Sequence, residues 1–538
     1  MSAYSRLRAE TYILPRWAYG VLGGMAVLFA WQGTVDFIYS GHGTIPSPTQ
    51  IALQFWSDGP ALYFGSAAYT LRSAAIGWLW GNGLAIGFAV LAFAVPSAAP
   101  MIFKLGVLSY CLPIVAIGPV LSILFNGDIP RIALAAMSTF FVTLVGATLG
   151  LQSPDSAILD MVRAFGGEGA DQLQKVRLRA AMPSLFAALR IAAPSAILGA
   201  MVGEFLGAEN GLGVLLINSQ QALNFSRTWA IAIFATAVAG LTYGLTALIG
   251  RLLTPWAQET VVNLAAAGSL GGPSRRGPVT VRTLRTIAYG LFSLLFILAV
   301  WQVSLAVLQV SPFIGKGPLD VWTYLTDPDS GAANLAALKT ESLITLRDAL
   351  IGLFAGSSAA VATAAAFVVF PSLQRILIGP ALALQSVPLI AVTPVIVLIF
   401  GRNLTATAMI GGIVAFFPTL VNVSLALQRT PQQSIDLVWV YGASPLATLW
   451  KVRLPAALPS FFASLRIAAP LAMTGAMLAE WLATGRGLGY TMLSASATSD
   501  YDGLWSRVAM ATTMTLAIYN LIGLGERFIL NRFGGAVT

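Results

Sequence analysis

The chain has 538 residues, of which 57% are hydrophobic and only 9% are charged, and its mean hydropathy is +0.79. Soluble domains carry roughly a quarter charged residues, so this composition excludes a soluble multidomain protein and indicates a chain that lies mostly in lipid. The net charge of +9 does not indicate a nucleic-acid partner, because the basic residues fall at the ends of apolar segments rather than in one patch. The single cysteine, Cys111, excludes an intramolecular disulfide, and without a second ligand nearby it predicts no metal site.

Twelve apolar runs are long enough to cross a bilayer, since a spanning helix needs about 20 apolar residues. They fall near residues 17–37, 67–95, 101–125, 130–150, 185–206, 228–253, 284–309, 343–370, 374–400, 404–427, 461–482 and 507–530. The first run is longer than the core of a signal peptide, so we predict an uncleaved first span. The sequence therefore predicts an all-α integral membrane protein with about 12 transmembrane helices.

The distribution of lysine and arginine predicts the orientation of these spans. Basic residues concentrate in the N-terminal tail, in every second loop and in the C-terminal tail; among them are Arg163, Lys175, Arg177, Arg179, Arg275, Arg276, Lys451, Arg453, Arg527 and Arg532. We predict that this side is cytoplasmic and that both termini lie on it. The loops 38–66 and 310–342 then lie on the external side.

An internal repeat divides the chain into two units. The segment from Leu151 to Gly213 matches the segment from Leu427 to Gly489 without a gap, with about half of the positions identical. Six spans in each copy give both units the same orientation, as two parallel six-helix repeats. The predicted organisation is a first unit at 1–253, a flexible cytoplasmic linker at 254–283 and a second unit at 284–538.

Each unit contains a polar segment between its fourth and fifth spans, at residues 152–184 and 428–460, which we call the coupling segments. Each is long enough for two short helices, with Gly166 or Gly442 at the turn between them. A helix pair repeated on the cytoplasmic side predicts a docking surface, and an ordinary amphipathic loop is the alternative.

The two segments share a motif. It reads Asp160-Met-Val-Arg-Ala-Phe-Gly166 and Asp436-Leu-Val-Trp-Val-Tyr-Gly442, followed by Val176-Arg-Leu-Arg-Ala-Ala-Met-Pro183 and Val452-Arg-Leu-Pro-Ala-Ala-Leu-Pro459. These motifs resemble the "EAA" loop of ABC importer permeases. Together with Gly211-Leu-Gly213 and Gly487-Leu-Gly489, they look like the nitrate, sulfonate and taurine branch. The sequence departs from the family pattern in its leading Asp and in Arg179, which replaces the proline that Pro455 supplies in the second copy.

The resemblance implies a fold, a role and a set of partners. It implies the type I ABC importer permease fold, with two permease units fused in one chain, and coupling helices that insert into grooves of two ABC ATPase subunits. The residues that it places at this contact are Asp160, Phe165, Gly166, Asp436, Tyr441, Gly442, Pro455 and Pro459. It also implies a periplasmic or lipid-anchored solute-binding protein, the bacterial inner membrane and a small solute, often an anion such as a sulfonate or nitrate, although some relatives are associated with neutral or aromatic compounds.

No Walker A run of the form Gly-x-x-x-x-Gly-Lys-Ser/Thr occurs in the sequence. We therefore expect a transport subunit that is not itself an enzyme and holds no cofactor, with ATP and magnesium bound by the partner ATPases.

Charges within spans are costly in lipid and are therefore functional candidates. Glu204 and Glu480 lie near the external ends of two spans, and Arg72 and Arg347 lie near the external starts of two others. We hypothesise that they form one ion pair in each half, Arg72 with Glu204 and Arg347 with Glu480, as an external gate. The alternative is that they are interfacial side chains that reach water by snorkelling.

Proline and polar residues occur together in the third and ninth spans. The candidates for the translocation path are Ser109, Tyr110, Pro113, Gln385, Ser386 and Pro388. Proline kinks a helix, and polar groups at membrane depth face protein or a water cavity. A kink that only improves packing is the alternative.

Two other classes of protein compete with the permease interpretation. A proton-coupled secondary transporter with 12 spans would use Glu204 and Glu480 as proton carriers and need no ATPase. A membrane scaffold or receptor would explain the docking segments but not the duplicated proline-containing spans.

Overall fold

The computed structural model describes residues 16–38, 45–167, 169–257, 279–374, 377 and 388–533. These residues form helices joined by short turns, and no strand occurs among them. Helices are the expected solution in lipid, because each backbone N–H and C=O group is then satisfied within its own segment.

Within this described part, the first half forms ten helices. They are α1 (Arg16–Ile38), α2 (Pro48–Asp58), α3 (Pro60–Ala94), α4 (Ala99–Cys111), α5 (Ile114–Leu124), α6 (Ile129–Gln152), α7 (Ser156–Ala164), α8 (Gly169–Glu204), α9 (Leu212–Gln221) and α10 (Phe225–Leu253). The second half follows the same order. Its described helices are α11 (Val279–Val307), α12 (Pro318–Thr326), α13 (Gly331–Val369), α14 (Leu389–Phe400), α15 (Leu404–Gln428), α16 (Gln432–Val440), α17 (Pro445–Thr484), α18 (Leu488–Ala497) and α19 (Tyr501–Phe533).

Apolar helices occur at all the predicted spans, although residues 375–376 and 378–387 of the predicted span 374–400 lie outside the described residues. Nine described helices are long and apolar enough to cross a membrane, and the pair α4 and α5 forms a tenth span that is bent by 90°. Shorter apolar helices at Val21–Phe37 and Leu389–Phe400 occupy the two remaining predicted positions. The predicted all-α membrane fold in two repeats is confirmed.

The predicted linker lies largely outside the described residues, as do Gln385 and Ser386. Helix α10 ends at Leu253, and α11 begins at Val279, inside the predicted range 254–283. The exact unit boundaries remain a prediction.

Small residues allow the spans of each half to pack closely. A Cβ atom at Gly77 would lie 2.6 Å from the carbonyl oxygen of Ile132, so α3 and α6 approach backbone to backbone. In the second half, Gly352 lies in the same way against Gly411, which brings α13 against α15. Stripes of small residues are the usual means by which membrane helices associate, and they give each half a rigid frame.

The two halves pack against each other through exchanged contacts. Helix α5 of the first half packs on α17, α18 and α19 of the second, and α14 packs on α8, α9 and α10 of the first. The same helices therefore meet on both sides of the interface, related by a pseudo-two-fold axis. A path between the halves would be lined by α5 and α14.

Candidate functional site: coupling segments, bent span and external latches

The first coupling segment is a short helix followed by a glycine turn. Asp155 caps the start of α7 by accepting a hydrogen bond from the Ala157 N–H group at 3.1 Å. The helix ends at Ala164, and Gly166 adopts a φ of +79°, which only glycine adopts without strain. The predicted first short helix is present, whereas the second is not a separate short helix but the start of the long helix α8.

The second coupling segment repeats this geometry. Gly442 has a φ of +75° after α16, and the Ser444 hydroxyl caps α17 by accepting from the Ala447 N–H group at 3.2 Å. The leading acids make local contacts in both copies. Asp160 pairs with Arg163 at 2.9 Å, and Asp436 accepts from the Gln432 side chain at 2.8 Å.

Large apolar side chains project from both coupling segments. Phe165 is 86% exposed and Tyr441 is 85% exposed, each directly before the glycine of its turn. Further exposed members of this surface are Ile158, Met161, Leu437, Trp439, Val440, Leu446 and Trp450. Exposed apolar surface on a polar loop segment marks a contact site for another protein.

A π-helical turn leads from each coupling segment into its span, at Gln172–Arg177 and Leu449–Arg453. Within these turns, Arg177 donates to the Leu151 carbonyl at 2.7 Å, and Arg453 donates to the Leu427 carbonyl at 3.2 Å. Each arginine therefore ties its turn to the end of the preceding span. Sequence reasoning missed this role, although the repeated Lys-Val-Arg motif marked the position.

The family proline distinguishes the two coupling segments. Pro455 lies at the second position of the regular helix that follows the π turn, where proline is tolerated, and Pro459 follows one turn later. Arg179 occupies the position equivalent to Pro455 in the first half and is exposed. The two segments therefore present different chemistry at this point.

The predicted break in the third span is present and is sharp. Helix α4 ends at Cys111, Pro113 starts α5, and the two helices meet at 90°. Pro388 starts α14 with nearly the same backbone angles as Pro113. Both prolines are buried, and both open the helix that packs against the opposite half.

Of the path candidates, Tyr110 makes a specific contact between the halves. Its hydroxyl donates to the Ile467 carbonyl of α17 at 2.7 Å, and its ring stacks on Phe141 with centroids 4.4 Å apart. Ser109 is half-buried on the same helix. Gln385 and Ser386 lie outside the described residues.

At the other end of the spans, Glu204 and Glu480 each hold a glycine loop. Glu204 is 1% exposed and accepts from the Gly213 N–H group at 2.7 Å; Glu480 is fully buried and accepts from the Gly489 N–H group at 2.8 Å. We call each group of carboxylate, glycine loop and supporting threonine an external latch, after its predicted side.

The supporting threonines come from the second span of each half. Thr70 accepts from the Leu212 N–H group at 2.9 Å, and Thr345 accepts from the Leu488 N–H group at 2.9 Å. The latches thereby fix the starts of α9 and α18. Because α9 packs on α14 and α18 packs on α5, each latch holds a helix against the path helix of the opposite half.

The hypothesis of two arginine and glutamate ion pairs is not supported by this geometry. Arg72 and Arg347 are exposed, and Arg347 pairs with its neighbour Asp348 at 2.7 Å. Thr70 and Arg72 are two residues apart on one helix and so point to nearly opposite sides; the threonine faces the latch and the arginine faces away. The carboxylates accept from the backbone amides of their glycine loops and make no contact with the arginines.

The repeat itself contains a signal that could have revealed these partners. Thr70 and Thr345 occur at equivalent positions, as do the Gly-Leu-Gly motifs after each glutamate. The motif needs its first glycine, because Gly211 and Gly487 have φ values of +135° and +87°. Within the described ranges, no three His, Cys, Asp or Glu side chains come together to hold a metal ion.

Comparison with known proteins identifies the family of this arrangement. The family described as "Binding-protein-dependent transport system inner membrane component" matches twice, at residues 81–259 and 351–533. The chain belongs to this family. Each match contains one coupling segment and one latch glutamate, so this chain carries two fused permease units.

Its relatives are permeases of ABC transporters. A probable ABC transporter permease protein of Haemophilus influenzae is 32% identical over 190 residues, which are 35% of this chain and 76% of that protein. The riboflavin transport system permease protein RibX of Chloroflexus aurantiacus is 34% identical over 154 residues, 28% of this chain and 58% of that protein. The putative aliphatic sulfonates transport permease protein SsuC of Bacillus subtilis is 26% identical over 245 residues, 45% of this chain and 88% of that protein. No solved structure matches significantly.

Proposed function

We propose that this chain forms the complete transmembrane path of an ATP-driven importer for a small anionic solute. The observation that carries the proposal is the duplicated pair of coupling segments, each with a highly exposed aromatic side chain, Phe165 or Tyr441, before a left-handed glycine. Two such surfaces on one chain fit two ABC ATPase subunits, which would bind the ATP and magnesium. The chain itself would hold no cofactor and catalyse no reaction.

The arrangement of the chain supports alternating access. The coupling segments continue directly into α8 and α17; α8 ends at Glu204, and α17 carries Glu480 four residues before its end at Thr484. A movement imposed on the coupling segments would therefore reach the latches along one continuous helix in each half. The candidate gate residues Arg72 and Arg347 are exposed near this end.

The remaining partners follow from the family and from the charge pattern. A periplasmic or lipid-anchored binding protein would deliver the solute at the latch side. The basic residues near the coupling segments support a bacterial inner-membrane location with both termini in the cytoplasm. Among the relatives, the name of SsuC refers to aliphatic sulfonates, which supports an anionic solute.

The test is copurification of the tagged full chain with candidate ATPase subunits, followed by ATPase assays in lipid discs. Phe165→Asp combined with Tyr441→Asp places charges on both exposed aromatic positions, and we expect the ATPase to be lost. Trp56→Asp is the matched control, because Trp56 is 72% exposed on α2 at the opposite end of the molecule. Gly442→Pro is a second variant, since proline cannot adopt a positive φ.

The proposal stands if the ATPase binds wild type and the Trp56 variant but neither coupling variant. It fails if no ATPase binds the wild-type chain and solute uptake follows a proton gradient, which would instead support a secondary transporter.

A further inference from the structure

Two arginines lie at membrane depth in the repeated Leu-Arg-Ile-Ala-Ala-Pro motif. Arg190 on α8 and Arg466 on α17 each precede the latch glutamate of their helix by 14 residues, which is roughly 20 Å along the axis. A charge at this depth is costly unless a partner compensates it. Among the described residues, a carboxylate compensates this charge in only one of the two halves.

Arg466 is neutralised within its own half. Its guanidinium pairs with Glu526 of α19 at 3.3 Å, with both side chains 15% exposed, and lies over the Tyr519 ring at 4.4 Å from the centroid. This arginine is therefore a structural cation that joins α17 to α19.

Arg190 has no such partner among the described residues. Its guanidinium lies 5.7 Å from the centroid of the Tyr243 ring, which is the equivalent of Tyr519. The position equivalent to Glu526 is Gly250, so no carboxylate is available there. The Nε atom of Arg190, like that of Arg466, is buried and has no hydrogen-bond partner in the described part of the chain, so the two arginines differ in the carboxylate.

The location of Arg190 connects it to the interface between the halves. Arg190 and Tyr243 lie on α8 and α10, and α14 of the second half packs against both of these helices. Helix α14 is the path helix that starts at Pro388. Within the described residues, Arg190 therefore lacks the carboxylate that Arg466 has, and it lies on a helix that packs against this path helix.

We propose that Arg190 binds the anionic group of the transported solute, a sulfonate or oxyanion, and that Arg466 has no such role because Glu526 neutralises it. This inference rests on the proposed transport function and makes it asymmetric, with one anion-binding arginine in a path built from two similar halves. Arginine suits the role, since its planar fork of donors fits sulfonate and nitrate oxygens and its charge cannot be removed by deprotonation.

The experiment measures thermal unfolding of the purified full chain against increasing sodium ethanesulfonate or sodium nitrate, with sodium chloride at equal ionic strength as reference. A bound anion raises Tm in a saturable way. We expect this rise in wild type and in Arg190→Lys, and a loss of affinity of roughly tenfold or more in Arg190→Gln. Cooperative unfolding without added anion shows that each variant is folded.

Gly250 provides a matched pair of variants. Gly250→Glu supplies the carboxylate of the other half and should abolish the anion response, whereas Gly250→Ala should retain it. The alanine controls for steric effects, because a Cβ atom at this position would lie 3.1 Å from Phe186.

Equal anion affinity in wild type and Arg190→Gln would overturn the proposal, as would the absence of any anion response in wild type. ATPase copurification separates this result from the broader function. If the ATPase binds but Arg190→Gln keeps its anion affinity, only the binding site is wrong; if no ATPase binds wild type, the transport function itself fails.

Discussion

Glu204 and Glu480 are held in an apolar interior by the first turn of a helix. Their carboxylates accept from Gly213 and Gly489, which are the second residues of α9 and α18. The N-terminus of a helix carries free N–H groups and a partial positive charge, so it stabilises a carboxylate without a basic side chain. A buried carboxylate in this protein can therefore serve as a mechanical anchor.

Replacing Glu480 with alanine should destabilise the protein. The substitution leaves the buried Gly489 N–H group without an acceptor, which costs about 1–3 kcal/mol, and removes the side chain that holds α18. We expect a lower Tm in detergent for Glu480→Ala. Glu209→Ala is the control, because Glu209 is an exposed carboxylate in the loop before α9; an equal effect of both substitutions would contradict the anchoring role.

The sequence located these carboxylates because charges are rare within apolar spans. It did not reveal their partners, since backbone amides carry no signal in a sequence and α9 and α18 are too short to stand out as spans. Helical periodicity also separates Thr345 from Arg347, and in the sequence the charge of the arginine is the more visible feature of the two.

Asp58 forms a second kind of anchor at the same end of the first half. Its side chain is 3% exposed, pairs with Arg227 at the start of α10 and accepts from the Tyr63 hydroxyl at 2.7 Å. The hydrogen bond from Arg227 holds the pKa of the Asp58 carboxyl below its ordinary value of 3.8, although burial opposes this shift. The charged form of Asp58 therefore stabilises the fold.

This shift predicts a dependence of stability on pH. A carboxyl with a lowered pKa in the folded state contributes stability above its unfolded pKa, and that contribution is lost as the pH falls through the folded value. Tm of wild type should therefore decline below about pH 4. The decline should be smaller in Asp58→Asn, measured by thermal unfolding between about pH 3 and 6; parallel curves for the two proteins would show that another group controls the decline.

Among the helices, the bent third span most clearly separates what sequence can predict from what it cannot. Pro113 predicted a break, because proline removes a backbone hydrogen bond. The 90° angle between α4 and α5 was not predicted, because α5 packs against α17, α18 and α19, which lie far away in the sequence. The π turns at the starts of α8 and α17 were equally hidden, since no residue type encodes them.

Tyr110 tests whether α4 is fastened to the opposite half. Tyr110→Phe keeps the ring that stacks on Phe141 but removes the hydroxyl that donates to Ile467. We expect a loss of about 1 kcal/mol in stability, as for a typical hydrogen bond, seen as a lower Tm. Tyr490→Phe is the control, because Tyr490 is 42% exposed; unchanged stability in Tyr110→Phe would mean that this bond does not hold the interface.

The whole molecule is a pseudo-dimer. Its two halves have the same arrangement of helices but different ion pairs. Arg227 with Asp58 ties the last span of the first half to its outer helices. In the second half, Arg507 instead ties the last span to α13, through bonds to Glu341 of 2.9 and 3.1 Å. These pairs occupy non-equivalent positions of the repeat, so the sequence repeat predicted the shared frame but could not predict how each half closes its outer end.

The exchanged packing of α5 and α14 predicts that the two units stay together without a covalent connection. Each of these helices contacts three helices of the opposite half, and Phe205 meets Trp481 edge to face at 5.9 Å across the interface. We therefore expect that the chain cut between residues 266 and 267, expressed as two fragments, copurifies from membranes when only the first fragment carries a tag.

The control is the intact chain, cleaved after purification at a protease site inserted in the same place, because its halves assembled while they were connected. Separation of the coexpressed fragments, with retention in the cleaved control, would show that the connection is needed for assembly; separation in both would show that the interface does not hold the halves together.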